Sequence, residues 1–278
     1  LSVVIPSKDR PLLLEAAARS ALSSLPPDAE VVVVDDRSDP PLARSLAVED
    51  PRLRITASEN RPGASGARNW GVAHSRGERI LFLDDDDLLR PGYASWASDQ
   101  PGDYGFSAIL PFSGDHPPQL TAFPAVAPLP VSTLTPFRRR LGGLGCGFWI
   151  DRGVFLKLGG IAEDIRVNED TEFSIRALAT GLRGSYSPEP GVLVRRHGFG
   201  HLTHSATALD RAGNFATILA RHAAWLDRHA EARMHLRLRQ VKLLAYAGDA
   251  ASAGRTIREE AGLRDRLHLW SHFLLTRL

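Results

Sequence analysis

The chain has one cysteine and one methionine in 278 residues, a formal net charge of only +2, and no long hydrophobic run. A single thiol, Cys146, excludes an intrachain disulfide framework and a zinc centre built from several cysteines, which favours a reducing compartment. Near-neutral charge gives no global signature of a nucleic-acid binder, although Arg and His concentrate in the last third. No apolar stretch reaches the roughly 18 residues of a bilayer span, and no signal peptide precedes the first apolar run, so a cytoplasmic protein is expected. The sequence starts at Leu1 rather than Met, from which removal of a few native residues is expected. What remains is an ordinary globular balance, 43% hydrophobic and 24% charged, enough for one large or two small domains.

The first 90 residues alternate short apolar runs with amphipathic stretches. Val3-Val4-Ile5 and Val31-Val32-Val33-Val34 are too short and too β-branched for helices, and between them Leu13, Leu14, Ala17, Ala21 and Leu22 keep a helical period. Residues 52–56 and 79–83 read as further strands and residues 64–73 as a helix. Continuous apolar strands alternating with helices imply a parallel sheet covered on both faces. From Pro101 to Pro136 the chain is rich in proline and glycine and reads as irregular, with a strand at 107–110. Short strands are expected at 148–150 and 192–194, a helix stub at 154–158 and a helix at 170–179. Beyond Ala206 the pattern is helical, with Phe215, Ile218, Leu219, His222 and Leu226 on one face and Leu236, Val241, Leu244 and Ala245 on another. The terminal stretch from Leu267 to Leu275 is apolar and basic-flanked, a helix packed on its own domain or a membrane-surface face.

Chemistry concentrates at two strand ends. Asp35-Asp36 follows the valine run, and Asp84-Asp85-Asp86-Asp87 follows Ile80-Leu81-Phe82-Leu83. Crowded carboxylates repel unless a hard cation or solvated loop offsets them, and strand carboxyl ends are where open α/β sheets bind ligands. A solvated turn with helix-capping aspartates is the plainer alternative. Asp35-Asp36 can accept hydrogen bonds from a base or ribose, and two carboxylates one residue apart can share a divalent cation with a diphosphate.

Five segments together resemble glycosyltransferase family 2, inverting nucleotide-sugar-dependent enzymes of the GT-A fold. Val4-Ile5-Pro6-Ser7-Lys8-Asp9-Arg10 is similar to the family's Pro-Thr-Tyr-Asn-Arg turn, with Lys8 and Asp9 in place of Tyr and Asn. Val34-Asp35-Asp36-Arg37-Ser38 resembles Val-Asp-Asp-Gly-Ser, with Arg37 where glycine is usual. The segment from Asn60 to Gly71 resembles Asn-x-Gly-x-x-x-Ala-Arg-Asn-x-Gly with one inserted residue. Leu83 to Asp87, followed by Pro91-Gly92, resembles the metal motif. Gly159-Gly160-Ile161 leading to Glu169-Asp170 and Arg176 resembles the Gly-Gly-Phe…Glu-Asp…Arg region.

The resemblance implies an α/β, Rossmann-like GT-A domain with a mostly parallel central sheet flanked by helices. A nucleotide-sugar-binding half would occupy residues 1–100, an acceptor-binding and catalytic half 101–204, and a C-terminal helical extension 205–278. It implies Pro6, Ser7, Arg10, Asp36, Arg68, Asp84 and Asp85 at the nucleotide-sugar. Asp84 and Asp86 would hold a divalent cation, Mn²⁺ or Mg²⁺, with His197 a further metal or phosphate ligand. With four aspartates the Asp-x-Asp pair can slide by one. Asp170 is the expected general base for the acceptor hydroxyl, with Glu169 as alternative; both could instead complement a helix dipole. His201 and His204 are read as structural or acceptor-facing, and the glycine run 142–147 as too loose for a nucleotide fingerprint. The partners implied are a nucleotide-sugar donor, a UDP-sugar by preference, and a glycan, lipid-linked or small-molecule hydroxyl acceptor, with no nucleic acid. Peripheral contact with the inner face of a membrane through the C-terminal helices stays open. The competing functions are a nucleotidyltransferase, a non-catalytic metal- or carbohydrate-binding module, and a glycoside hydrolase. An EF-hand is excluded because the required Gly and Glu are missing when counted from Asp84.

Overall fold

The computed structural model describes residues 1–114, 118, 121–196, 207–260 and 262–277, and it divides into two units. The first unit is built on one sheet whose strands are β1 (Ser2–Ser7), β2 (Glu30–Asp35), β3 (Leu53–Ala57), β4 (Arg79–Leu83), β5 (Leu88–Leu89), β6 (Tyr104–Ser113), β7 (Leu129–Pro130), β8 (Cys146–Asp151) and β9 (Gly184–Arg196). Its order is β3-β2-β1-β4-β8-β6-β9-β5, with β7 pairing β9. The helices are α1 (Pro11–Ser24), α2 (Leu42–Ser45), α3 (Ala64–Ala73), α4 (Tyr93–Asp99), α5 (Arg152–Lys157) and α6 (Glu169–Ala179).

Alternation along the strands splits the core into two layers. Val3, Ile5, Val31, Val33, Leu81 and Leu83 pack on one face with α1 and α4, while Val4, Val32, Val34, Ile80 and Phe82 pack on the other with α3, α5 and α6. Both faces are covered, so the β-branched runs carry no polar residue.

The expected parallel sheet holds for β1 to β4. Beyond them the sheet is mixed rather than mostly parallel: β8 runs antiparallel to β4 and to β6, β6 and β9 are parallel, and β5 and β7 run antiparallel to β9. The stretch read as irregular holds the ten-residue β6, and the short strand read at 192–194 is the end of a 13-residue β9. Their prolines and glycines hid them; Pro111 and Pro190 lie inside these strands, beside shifts of register at Ser107–Ile109.

The second unit comprises Thr135–Leu141, Ile165–Asn168 and Phe199–Leu278, so the helical extension also gathers two short segments from the middle of the chain. Its helices are α7 (Ala208–Arg221), α8 (Ala223–Leu226), α9 (Ala230–Tyr246), α10 (Ala250–Glu259) and α11 (Leu263–Arg277). Thr207 and Asp210 form a reciprocal capping box on α7, and the Asp249 side chain caps α10. Phe215, Ile218, Leu219, Leu226, Leu236, Val241, Leu244 and Ala245 are buried, as their spacing predicts. Among the described residues no helix is long and apolar enough to cross a membrane.

Candidate active site

The strand directions place the functional side chains. β1, β2 and β4 all end at one edge of the sheet, delivering Ser7, Asp35-Asp36 and Asp84 there, with β1 lying between the two acidic tips rather than leaving them adjacent. Because β8 runs opposite to β4, its beginning lies at this edge, and Leu83 faces Cys146. β9 runs with β6, so its end, Arg195-Arg196, arrives there too.

Two turns carry residues at positive φ, Asp9 (56°) and Arg37 (64°). Asn and Gly, usual in the resembled motifs at these positions, adopt this backbone at least cost, and Asp and Arg hold it through local bonds. The Asp9 N–H donates to Ser38 Oγ (2.9 Å), and the Asp39 N–H donates to the Asp9 carboxylate (2.9 Å), latching the turns together. Asp35 accepts from the Ser38 and Leu42 N–H groups, both at 2.8 Å, and so shapes the turn. Asp36 accepts from Arg37 (2.9 Å) and from the Gly63 N–H (2.7 Å), which ties it to the start of α3.

The four aspartates divide by partner. Asp84 accepts from the Arg68 guanidinium at 2.6 Å, and Asp85 from Ser7 Oγ at 2.6 Å. Arg10 bridges Asp85 and Asp86, 3.3 Å from each. Asp87 accepts from the Arg195 N–H at 2.9 Å. The other end of Arg68 reaches Glu169 at 3.2 Å, so one buried guanidinium links the strand β4 acids to the first residue of α6. Asp170, next in α6, accepts from the Thr171 N–H at 2.6 Å. Pro6 lies within β1, paired with Val34, and offers the site no side-chain donor. His197, with His201 and His204, lies outside the described residues.

Burial and mutual repulsion set the proton affinities. Burial pushes Asp85 up to about 6 against the pull of Ser7 and Arg10, and burial with the charge of Asp84 pushes Asp87 up to about 8. Burial raises Glu169 as well, opposed by Arg68. Burial disfavours the Arg68 charge, but Asp84 and Glu169 outweigh it and hold the guanidinium protonated. The cluster is therefore short of positive charge even with two arginines against it. One carboxylate oxygen from each of Asp84, Asp86 and Asp87 lies within 4.8 Å of the others, a set of hard donors suited to a divalent cation.

Three contributors escape the sequence. Gly145 accepts from the Asp84 N–H (2.9 Å), and a side chain there would collide with the Asp84 carboxylate. The glycine run around it was legible, its neighbour across the sheet was not. Arg195 presents its N–H to Asp87 and its guanidinium to the Asp86 and Gly114 carbonyls. Asn69 bonds both the N–H and the carbonyl of Ile161 and the Glu163 carboxylate, holding the glycine turn that precedes α6. Burial, with Asp84 and Asp87 near, pushes the Cys146 thiol up and so disfavours its thiolate.

The parallel half-sheet, its antiparallel complement and the acidic edge define an α/β domain of the GT-A class. Residues 2–95 match the family model "Glycosyl transferase family 2". Among curated relatives, the GalNAc(5)-diNAcBac-PP-undecaprenol beta-1,3-glucosyltransferase of Campylobacter jejuni is 35% identical over 99 residues, 34% of this chain and 32% of that protein. The chain spans about a fifth to a third of the length of the first relatives it matches. Two solved structures share the fold across the whole chain, each with a TM-score of 0.60. One is S. aureus TarS 1–349 in complex with UDP-GlcNAc, 16% identical, with 81% of that chain covered. The other is the mannosyltransferase PcManGT from Pyrobaculum calidifontis in complex with GDP-Man and Mn²⁺, 18% identical, with 80% covered.

Proposed function

We propose that this chain is a metal-dependent glycosyltransferase that moves a sugar from a nucleoside-diphosphate donor, a UDP-sugar by preference, to an acceptor hydroxyl with inversion. The observation that carries this reading is the Arg68 bridge, which ties the acids of β4 to the helix that begins with Glu169 and Asp170. A donor diphosphate at Asp84 and an acceptor at α6 would then meet across one guanidinium.

In the proposed reaction Asp36 accepts from the base, and Ser7 and Arg10 hold Asp85 and Asp86 in place. Asp170 takes the proton of the acceptor hydroxyl as its oxygen attacks the anomeric carbon, and the bond from that carbon to the diphosphate breaks. A divalent cation held by Asp84, Asp86 and Asp87 would supply the charge that stabilises the leaving diphosphate. Glu169, already paired to Arg68, is assigned to keeping that guanidinium in place rather than to proton transfer. The Campylobacter relative's name carries an undecaprenol diphosphate, which supports a lipid-linked acceptor here.

The test is a panel of UDP- and GDP-sugars with and without Mn²⁺, read by thermal shift and by donor hydrolysis. Asp86→Ala should lose the Mn²⁺-dependent shift, whereas Asp170→Asn should keep it and lose about 10²- to 10⁴-fold in turnover. Pyrophosphate release would point to nucleotidyl transfer instead, and no shift with any nucleotide and Mn²⁺ would remove the proposal.

A further inference from the structure

Helix α11 is apolar on two faces. Leu269 and Phe273 are buried in the helical unit, while Leu263, Leu267, Leu274 and Leu275 are 58–71% exposed and Trp270 is 36% exposed. Leu263, Leu267, Trp270 and Leu274 recur at intervals of four, three and four, so they line one side of the helix over about 16 Å. Scattered exposed leucines are ordinary, but a continuous stripe of large side chains marks an interaction surface.

The charge around the stripe selects its partner. The helical unit holds sixteen Arg and Lys against seven Asp and Glu, a formal +9, and the remainder of the chain holds eighteen against twenty-five, a formal −7. Arg264 is exposed on α11 itself. A methyl group placed on Gly254 would lie 3.4 Å from the Arg258 guanidinium and 3.8 Å from the Trp270 indole, so a cation and the ring border one spot. The only acid on α11, Asp265, is paired with Arg233 at 3.8 Å. A second copy packing through the same face would bring another +9 unit against it, which like-charge repulsion opposes, whereas an anionic surface complements it.

We propose that this face of α11 docks on an anionic lipid bilayer, with Trp270 and the leucines entering the headgroup boundary and Arg258 and Arg264 facing lipid phosphates. The proposal rests on the helical unit alone and stands whether or not the chain transfers a sugar.

The experiment is co-sedimentation of the full chain with phosphatidylcholine vesicles and with vesicles containing about one third phosphatidylglycerol. The wild type should partition to the anionic vesicles, less so at raised salt. Leu267→Glu combined with Trp270→Glu should weaken that partition at least about tenfold, and Arg258→Glu with Arg264→Glu should abolish the preference for anionic lipid. A milder pair, Leu263→Ser and Leu274→Ser, gives the same reading if the glutamate variant melts early. Absence of sedimentation, or equal partition of wild type and both stripe variants, overturns the proposal. Size-exclusion dimers that dissolve in Leu267→Glu, without vesicle binding, would assign the stripe to a second copy and overturn it as well.

Discussion

The backbone of Gly145 lies against the carboxylate of Asp84: the Asp84 N–H donates to the Gly145 carbonyl at 2.9 Å, and the volume a Gly145 side chain would fill is taken by the Asp84 carboxyl group. The antiparallel register of β8 on β4 brings them together across 61 residues of sequence.

Gly145→Ala should therefore displace Asp84 from its place beside Asp86 and Asp87. We expect Mn²⁺ affinity to fall about 10- to 100-fold, the range found when groups supporting metal ligands are lost. Calorimetric titration of Mn²⁺ into both proteins reads this, and an unchanged affinity would mean that Asp84 is not held by that contact.

Arg68→Met removes the cation shared by Asp84 and Glu169 while keeping much of the side-chain volume. Breaking a buried ion pair on one side costs about 3–5 kcal/mol, and the Arg68 side chain is only 5% exposed. Denaturant unfolding should show that loss, and Mn²⁺ should recover part of it by replacing the missing charge. A variant as stable as the wild type would show that Arg68 is dispensable to the fold.

The pH dependence of stability has a definite sign. Asp85 and Asp87 rise from an ordinary value of 3.8 to about 6 and about 8 on folding. Each of these two groups thus binds more protons in the folded than in the unfolded state between these limits, and their contribution to stability falls as pH rises from about 4 to about 8. Asp87→Asn, which keeps an acceptor for the Arg195 N–H, should flatten the upper part of that decline. Melting temperatures across this range without added metal test it; a rise in stability over the range would contradict it.

Asn69→Ala should loosen the turn before α6. It deletes bonds to the Ile161 N–H and carbonyl and to Glu163, all 2.8–2.9 Å. A loss of about 2–3 kcal/mol is expected, since a buried donor and acceptor are left unsatisfied. Faster amide exchange at Ile161 is the local signature.

Much of the first unit is legible because its signals are local. Strand β4 occupies the residues expected of it, and α3 does too, since a β-branched or apolar run and a helical period each lie within ten consecutive residues. β6 and β9 were underestimated because Pro111 and Pro190 and the surrounding glycines mimic a loop, and only pairing with each other and their neighbours makes them strands.

The sequence by itself determined that acids follow two buried strands and that an arginine helix, a glycine turn and a Glu-Asp pair follow in order. Those features are set by adjacent residues, and chain periodicity exposes them. Only the tertiary structure decided that Arg68 joins Asp84 to Glu169, that Arg10 bridges Asp85 and Asp86, and that Gly145 and Arg195 complete the acidic edge. Strand order and direction fix those neighbours, and they depend on the free energy of packing the whole sheet rather than on any local run of residues.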